Sequence, residues 1–132
     1  MSSKALIVID IQNDITKHYK DIIGNINSAI DLAVEQSIPV IYIKHNNLSA
    51  GTRTFKPGTK GAELAPELKV VSDNIFVKTK ANTLTSEAFS EFIRTNGIDE
   101  FYSNLCIKRC NPIFYWRIKT FNFYINFITI RF

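Results

Sequence analysis

The chain has 132 residues, is 45% hydrophobic and 21% charged, and carries a formal net charge of +4. This is the composition of a soluble globular protein, long enough for one domain with a buried core. The chain shows no secretory signal, and no stretch reaches the ~18 uncharged apolar residues of a membrane span. Two cysteines four residues apart make no disulfide framework. We therefore expect a cytoplasmic protein with free thiols and no membrane partner.

The positive charge is unevenly distributed along the chain. Residues 1–100 hold 11 Lys/Arg and 12 Asp/Glu, whereas residues 101–132 hold five Lys/Arg and no acidic residue. The second segment also lacks Gly, Ala and Val and contains 10 of the 16 aromatic residues. Basic and aromatic side chains together suit single-stranded nucleic acid, but five charges without a known motif are weak support. We expect no nucleic-acid partner.

The first part of the chain has a strand-helix-strand pattern. Ala5–Ile9 is an unbroken apolar run, typical of a strand buried on both faces, and Asp10 follows at its carboxyl end. Apolar residues recur at helical spacing over residues 22–34, with Asp21 as a candidate N-cap. Residues 38–43 are again apolar and predict a second buried strand. This order predicts a right-handed βαβ unit.

A second such unit follows a long polar connection over residues 46–68. Loops of this length in a compact domain are usually functional or mobile. Residues 74–78 predict a third strand that ends at Lys78, a helix capped by Thr85 comes next, and residues 98–102 start a fourth strand. The whole order predicts an α/β fold with a doubly wound, mainly parallel sheet.

Ionisable residues follow two of the predicted strands, Asp10 after the first and Lys78 after the third. Parallel strands bring such residues to one rim of the sheet, where open α/β sheets place their ligands. A cysteine beyond the fourth strand would reach the same rim. A carboxylate can take the thiol proton and an ammonium can stabilise the thiolate, so these three residue types form a workable nucleophilic set.

Three stretches of the chain carry a resemblance to a known family. They are Ala5-Leu-Ile-Val-Ile-Asp-Ile-Gln-Asn-Asp14, Gly58-Thr-Lys-Gly-Ala-Glu-Leu-Ala-Pro-Glu-Leu68 and Val77-Lys-Thr-Lys-Ala-Asn-Thr-Leu84, and Gly97-Ile-Asp99 adds to them. Over about residues 4–102 the chain resembles the isochorismatase-like cysteine hydrolases, which include nicotinamidases and related amidohydrolases. The resemblance implies a Rossmann-like three-layer α-β-α fold with a mainly parallel sheet, incomplete at the C-terminus.

The resemblance also implies roles for individual residues. Asp10 corresponds to the catalytic acid/base and Lys78 to the catalytic lysine. Lys80 is a rival for that lysine, but the distance to the residues after it favours Lys78. Four further residues are expected to bind the substrate: Gln12, Asp14, Asn82 and Leu84.

Nicotinamidase-type members bind a metal through an Asp-x-His pair and a second His. This chain has only His18 and His45, and the residue two before His45 is Ile43 rather than Asp. Zinc needs three or four ligands. We therefore expect no metal and no cofactor, and both histidines to be ordinary polar residues.

The resemblance breaks after residue 102. The family continues with a Gly-containing turn and a Cys-Val that opens a long helix, and neither cysteine of this chain is followed by Val and a helical pattern. Cys110 lies thirteen residues after Gly97, about one short of the family spacing, and is the candidate nucleophile. Cys106 comes too early. We thus divide the chain into a hydrolase domain at 1–102 and an atypical tail at 103–132.

Two explanations for the tail remain open, a shifted reading frame after residue 102 and a divergent native C-terminus. We favour the frame shift, because Phe, Ile, Asn, Lys and Tyr are residues of A/T-rich codons. Either explanation leaves the activity of this chain uncertain.

The expected function is hydrolysis of a small amide, at its C–N bond, or of a vinyl ether such as isochorismate, at an Asp-Lys-Cys site. The alternative is a non-catalytic α/β module or inactive truncated pseudoenzyme that acts by self-association. The expected partners are a small-molecule substrate and further copies of the chain in a homo-oligomer.

Overall fold

In the computed structural model, residues 3–17, 20–104, 113–117 and 128–129 are described. The strands are β1 Ser3–Ile9, β2 Val40–His45, β3 Ile75–Lys78, β4 Ile98–Asn104, β5 Ile113–Arg117 and β6 Ile128–Thr129. The α-helices are α1 Asn13–Thr16, α2 Lys20–Glu35 and α3 Glu87–Thr95, and short 3₁₀ turns cover Lys60–Ala62 and Thr83–Thr85.

The described strands form one sheet in the order β3-β2-β1-β4-β5-β6. The first four of these run parallel, and β5 and β6 are antiparallel to their neighbours. The chain therefore winds outward from β1 through β2 to β3 and then returns to the other side of β1 with β4. The carboxyl ends of β1 and β4 flank the point where the winding direction reverses, which is where open α/β sheets bind their ligands.

A hydrophobic core lies on each face of the sheet. On one face, Leu6 and Val8 of β1 pack with the buried residues of α2 and with Ala65 and Leu68 of the long connection. On the other face, Ala5 and Ile7 pack with Phe89 and Ile93 of α3. Helices on both faces bury all four of these β1 side chains, which explains why the strand is a continuous apolar run.

The structure confirms the predicted α/β fold with a mainly parallel sheet and corrects two predicted helix caps. Helix α2 begins at Lys20, so Asp21 lies in its first turn instead of capping it. Its carboxylate is still favourable there because the N-terminal end of a helix carries partial positive charge. The N-cap of α3 is Ser86 rather than Thr85, since Thr85 closes a 3₁₀ turn and its hydroxyl donates to the Asn82 carbonyl at 2.6 Å.

The apolar run after residue 112 forms β5, which extends the sheet beside β4. Both cysteines and His18 lie outside the described residues. No helix in the part of the chain that the structure describes is long and apolar enough to cross a bilayer.

Candidate active site

Asp10 directly follows β1 and has a left-handed backbone, with φ of 59°. Its N–H still donates to the Ile43 carbonyl of β2 at 2.9 Å, so the turn away from the sheet occurs at this residue. Aspartate is among the few non-glycine residues that tolerate a positive φ, and such conformations cluster at functional sites. The backbone thus holds a carboxylate at the rim of the sheet.

Lys78 ends β3, which is separated from β1 by the whole of β2. Its ammonium nevertheless lies 3.2 Å from Oδ2 of Asp10 and donates to the Ala81 carbonyl at 3.1 Å. The Lys78 side chain is only 5% exposed, against 23% for that of Asp10. A lysine this buried requires a partner, because an unpaired charge away from water is strongly unfavourable. Lys80 is exposed, in keeping with the preference for Lys78.

His45 ends β2 between these two charged residues, directly opposite Lys78 in the sheet register. Burial lowers the pKa of its imidazole, the Asp10 carboxylate raises it and the Lys78 ammonium lowers it, with a net downward shift. The ring packs edge-on against Phe55, with centroids 5.6 Å apart. His45 is therefore part of the same cluster, whereas the sequence pattern assigned it no role.

Gln12 fixes the backbone of this cluster. Its amide accepts a hydrogen bond from the His45 N–H at 2.7 Å and donates to the His45 carbonyl at 2.9 Å. It also donates to the Ala62 carbonyl at 2.6 Å. The side chain is fully buried, so these bonds join β2 to the long connection across the residues that follow β1. In the described structure, Gln12 supports the site by holding its backbone.

Asp14 holds the same connection at a second point. Its Oδ2 accepts a hydrogen bond from the Phe55 N–H at 2.7 Å, and Phe55 has a left-handed φ of 56°. A Cβ placed on Gly61 would overlap the Asp14 carboxylate, which would then have to move away from its present position. Asp14 thereby positions Phe55 against His45. Neither Phe55 nor its contact with Asp14 was predicted, because the residues are 41 positions apart.

The remaining predicted pocket residues show structural contacts. Asn82 accepts a hydrogen bond from the Leu84 N–H at 3.0 Å and so caps the turn that follows it. Leu84 packs against the core beneath α3. A substrate-binding role for these two residues stays a prediction. Cys110, the predicted nucleophile, lies outside the described residues.

A metal centre needs several ligands close together. Within the described ranges, no group of three or more His, Cys, Asp or Glu side chains could hold a metal ion. Asp10 and His45 belong to one cluster, but two ligands fall short of the three or four that zinc takes from a protein. The described residues thus do not fit a zinc site of the nicotinamidase type.

The stretch around Gly61 owes its position to backbone pairing with the residues after β1. The Ala65 N–H donates to the Ile11 carbonyl and the Asn13 N–H donates to the Glu63 carbonyl, both at 3.0 Å.

A parallel α/β sheet with a carboxylate and a buried lysine at its carboxyl edge is typical of an α/β enzyme with a site at the topological switch. The sequence model of the isochorismatase domain matches residues 4–103, and the chain belongs to the isochorismatase family.

Solved structures of this family share the fold. An isochorismatase-family protein from Burkholderia xenovorans is 28% identical, with a TM-score of 0.64, over 75% of this chain and 52% of its own. N-carbamoylsarcosine amidase from Thermoplasma acidophilum is 21% identical, with a TM-score of 0.65, over 76% of this chain and 66% of its own. The zinc complex of pyrazinamidase from Pyrococcus horikoshii is 21% identical, with a TM-score of 0.62, over 76% of this chain and 69% of its own.

The chain spans between 52% and 59% of the length of three of the solved relatives that it matches. A search of curated protein sequences gave no match.

Proposed function

We propose that this chain carries the acid/base half of a hydrolase site for a small amide, with Asp10 as the base and Lys78 as its partner. The observation that carries the proposal is the 3.2 Å ion pair between these residues, made by a lysine that is almost fully buried. An ion pair presents the carboxylate in its basic form, which is the form that takes a proton from a nucleophile. Membership of the isochorismatase family supports hydrolysis as the reaction class.

In the proposed reaction, Asp10 takes the proton of a cysteine thiol and the sulfur attacks the amide carbonyl; Cys110 supplies this thiol only if the tail is in the native reading frame. The new C–S bond forms, the C–N bond breaks, and the nitrogen leaves with the proton that Asp10 held. Water then cleaves the thioester, which releases the carboxylic acid and restores the thiol. The Lys78 ammonium stabilises the negative charge that develops near it during both steps.

Vinyl ether hydrolysis is the second candidate and is favoured by the similarity to the isochorismatase-family protein from Burkholderia xenovorans. In this second reaction, a protonated Asp10 of the present chain gives its proton to the terminal vinyl carbon of the substrate. Water then adds to the carbon that bears the ether oxygen. The resulting hemiketal breaks into a ketone and an alcohol. This reaction needs Asp10 but no thiol.

The test is turnover of pyrazinamide, N-carbamoylsarcosine and isochorismate by the wild-type chain and by Asp10→Asn. We expect Asp10→Asn to lower kcat/KM at least ~100-fold, the usual contribution of a general acid or base. Asp31→Asn is the matched control, because Asp31 also pairs with a lysine, Lys69 at 2.7 Å, but lies half-exposed on α2. Equal turnover by wild type and Asp10→Asn would contradict the assigned role of Asp10.

The two candidate reactions differ in their need for a thiol. With a native tail, amide turnover should be lost in Cys110→Ala and retained in Cys106→Ala, whereas vinyl ether turnover should survive both substitutions. With a frame-shifted tail, Cys110 is an accidental thiol and neither cysteine substitution should change turnover. Loss of amide turnover in Cys106→Ala alone would show that the wrong cysteine has been assigned.

We also propose that residues 103–132 derive from a shifted reading frame. The family match ends at residue 103, next to the boundary where the composition changes. Translation of the other frames past codon 102 should give a Gly-containing turn, Cys-Val and a helical pattern. If no frame gives these features, the tail is a divergent native segment. Homo-oligomerisation and a cytoplasmic location stay predictions.

A further inference from the structure

His45 is held more firmly than an incidental polar residue at a strand end would be. Both its backbone N–H and its carbonyl are bound by the fully buried Gln12 side chain. Its ring packs edge-on against Phe55, at an angle of 76° between the ring planes. Phe55 is in turn fixed through its own N–H by Asp14. The backbone of His45 and one side of its ring are therefore fixed by separate elements.

Two buried polar atoms in this cluster lack a hydrogen-bond partner. In the described residues, Nδ1 of His45 and Oδ1 of Asp10 are the buried side-chain atoms of this kind. Buried polar atoms in native proteins are nearly always satisfied by the protein or by a bound molecule. Both atoms belong to the cluster around the ion pair of Asp10 and Lys78, in which Oδ2 of Asp10 contacts the Lys78 ammonium. They thus have unused hydrogen-bonding capacity within the same cluster of Asp10, His45 and Lys78.

We propose that His45 contacts the substrate, hydrogen-bonding through Nδ1 to an amide N–H or hydroxyl group held beside Oδ1 of Asp10. A carboxylate oxygen only accepts hydrogen bonds, so the group that meets Oδ1 must be a donor. The role rests on the proposed hydrolase function, because Asp10 is the reactive carboxylate in it. His45 then selects substrates that carry such a donor at the reacting end.

The charged surroundings of the ring agree with a neutral imidazole in this role. Asp10 approaches it from the end of β1 and Lys78 from β3, while the long connection contributes the apolar ring of Phe55. The ammonium of the adjacent Lys44 bonds to Glu63 at 3.0 Å. Burial and Lys78 outweigh Asp10, so the pKa of the imidazole is lowered and the neutral form persists at neutral pH.

Two substitutions separate a substrate contact from a packing role. His45→Phe keeps an aromatic ring for the edge-on contact but has no polar atom, whereas His45→Asn keeps a short hydrogen-bonding group and loses the ring. We expect His45→Phe to lower kcat/KM ~100-fold, as loss of one hydrogen bond at a reacting centre does. His45→Asn should retain kcat/KM within ~10-fold of wild type. In a plot of kcat/KM against pH, this variant should also lose the part of the decrease at low pH that protonation of His45 causes. The reverse order of the two variants would overturn the proposal.

A second measurement does not depend on turnover or on the folding of variants. The imidazole nitrogens of His45 in the wild-type chain are observed by NMR while pyrazinamide, N-carbamoylsarcosine or isochorismate is added. A shift of the Nδ1 resonance with at least one compound is expected even if the chain hydrolyses none of them, in which case the proposed reaction fails and the contact stands. Turnover without any shift, or no shift with all three compounds, would overturn the contact.

Discussion

Replacement of Gln12 by Met tests whether this side chain joins the site to the long connection. Methionine has a similar length and volume but cannot form the three hydrogen bonds that Gln12 makes with His45 and Ala62. The substitution removes the partners of two carbonyl groups and one N–H group while the packing volume changes little.

The magnitude follows from those three bonds. The bond to Ala62 is buried and the two bonds to His45 are partly buried. A typical net contribution of about 1 kcal/mol for each bond gives a loss of about 3 kcal/mol in the free energy of unfolding. With a urea m-value of about 2 kcal/mol/M, the unfolding midpoint should fall by about 1.5 M.

The matched control is Asn13→Ala, one residue further along the chain. Asn13 also donates a side-chain hydrogen bond to the same connection, to the Lys60 carbonyl at 2.8 Å, but this bond is exposed to solvent. Its loss should cost no more than about 1 kcal/mol. Urea unfolding followed by circular dichroism compares the two variants. Equal midpoints for Gln12→Met and Asn13→Ala would refute the assigned role of Gln12.

Three further predictions concern stability. Asp10→Asn should lower the free energy of unfolding by about 3 kcal/mol because it leaves a buried ammonium unpaired, and adding Lys78→Met should recover most of this loss. Additive effects of the two substitutions in urea unfolding would contradict the coupling. Gly61→Ala should destabilise the folded chain by about 1–3 kcal/mol because its Cβ would overlap a carboxylate. Gly24→Ala, at an open position of α2, should stabilise it by about 0.5–1 kcal/mol, and thermal unfolding of both variants tests the two predictions. Below pH 6.5 the unfolded chain takes up a proton at His45 more readily than the folded chain, so the free energy of unfolding should fall as the pH drops. His45→Asn should make this dependence of stability on pH weaker, and an unchanged dependence would contradict the lowered pKa.

The proposed reaction depends on a small number of residues. In the proposed reaction Asp10 is the base and Lys78 supplies a positive charge, and the sheet brings both to the carboxyl edge of β1, β2 and β3. The contact proposed for His45 narrows the candidates to molecules with a hydrogen-bond donor at the reacting end.

The sequence by itself determined the main secondary-structure elements and the carboxyl ends of β1 and β3, where Asp10 and Lys78 form the ion pair. Residues 5–9 are apolar without interruption because helices cover both faces of β1, and that environment leaves a local pattern. Asp10 and Lys78 could be found because an ionisable residue at the carboxyl end of a predicted strand marks the rim of a sheet. The family resemblance gave both residues the same roles independently.

Other features followed only from the tertiary structure. The sequence placed Asp10 and Lys78 at one rim but did not give the strand order. In the structure β2 lies between their strands, and the long lysine side chain spans this distance. The roles of Gln12 and Phe55 depend on a long connection that folds back over the residues after β1. The positions of the joined groups are 33 to 50 residues apart, and no local pattern of side chains encodes such a pairing. Hydrogen-bond partners at that separation are decided by where the packed sheet and loop bring the backbone, so this part of the site became visible only in three dimensions.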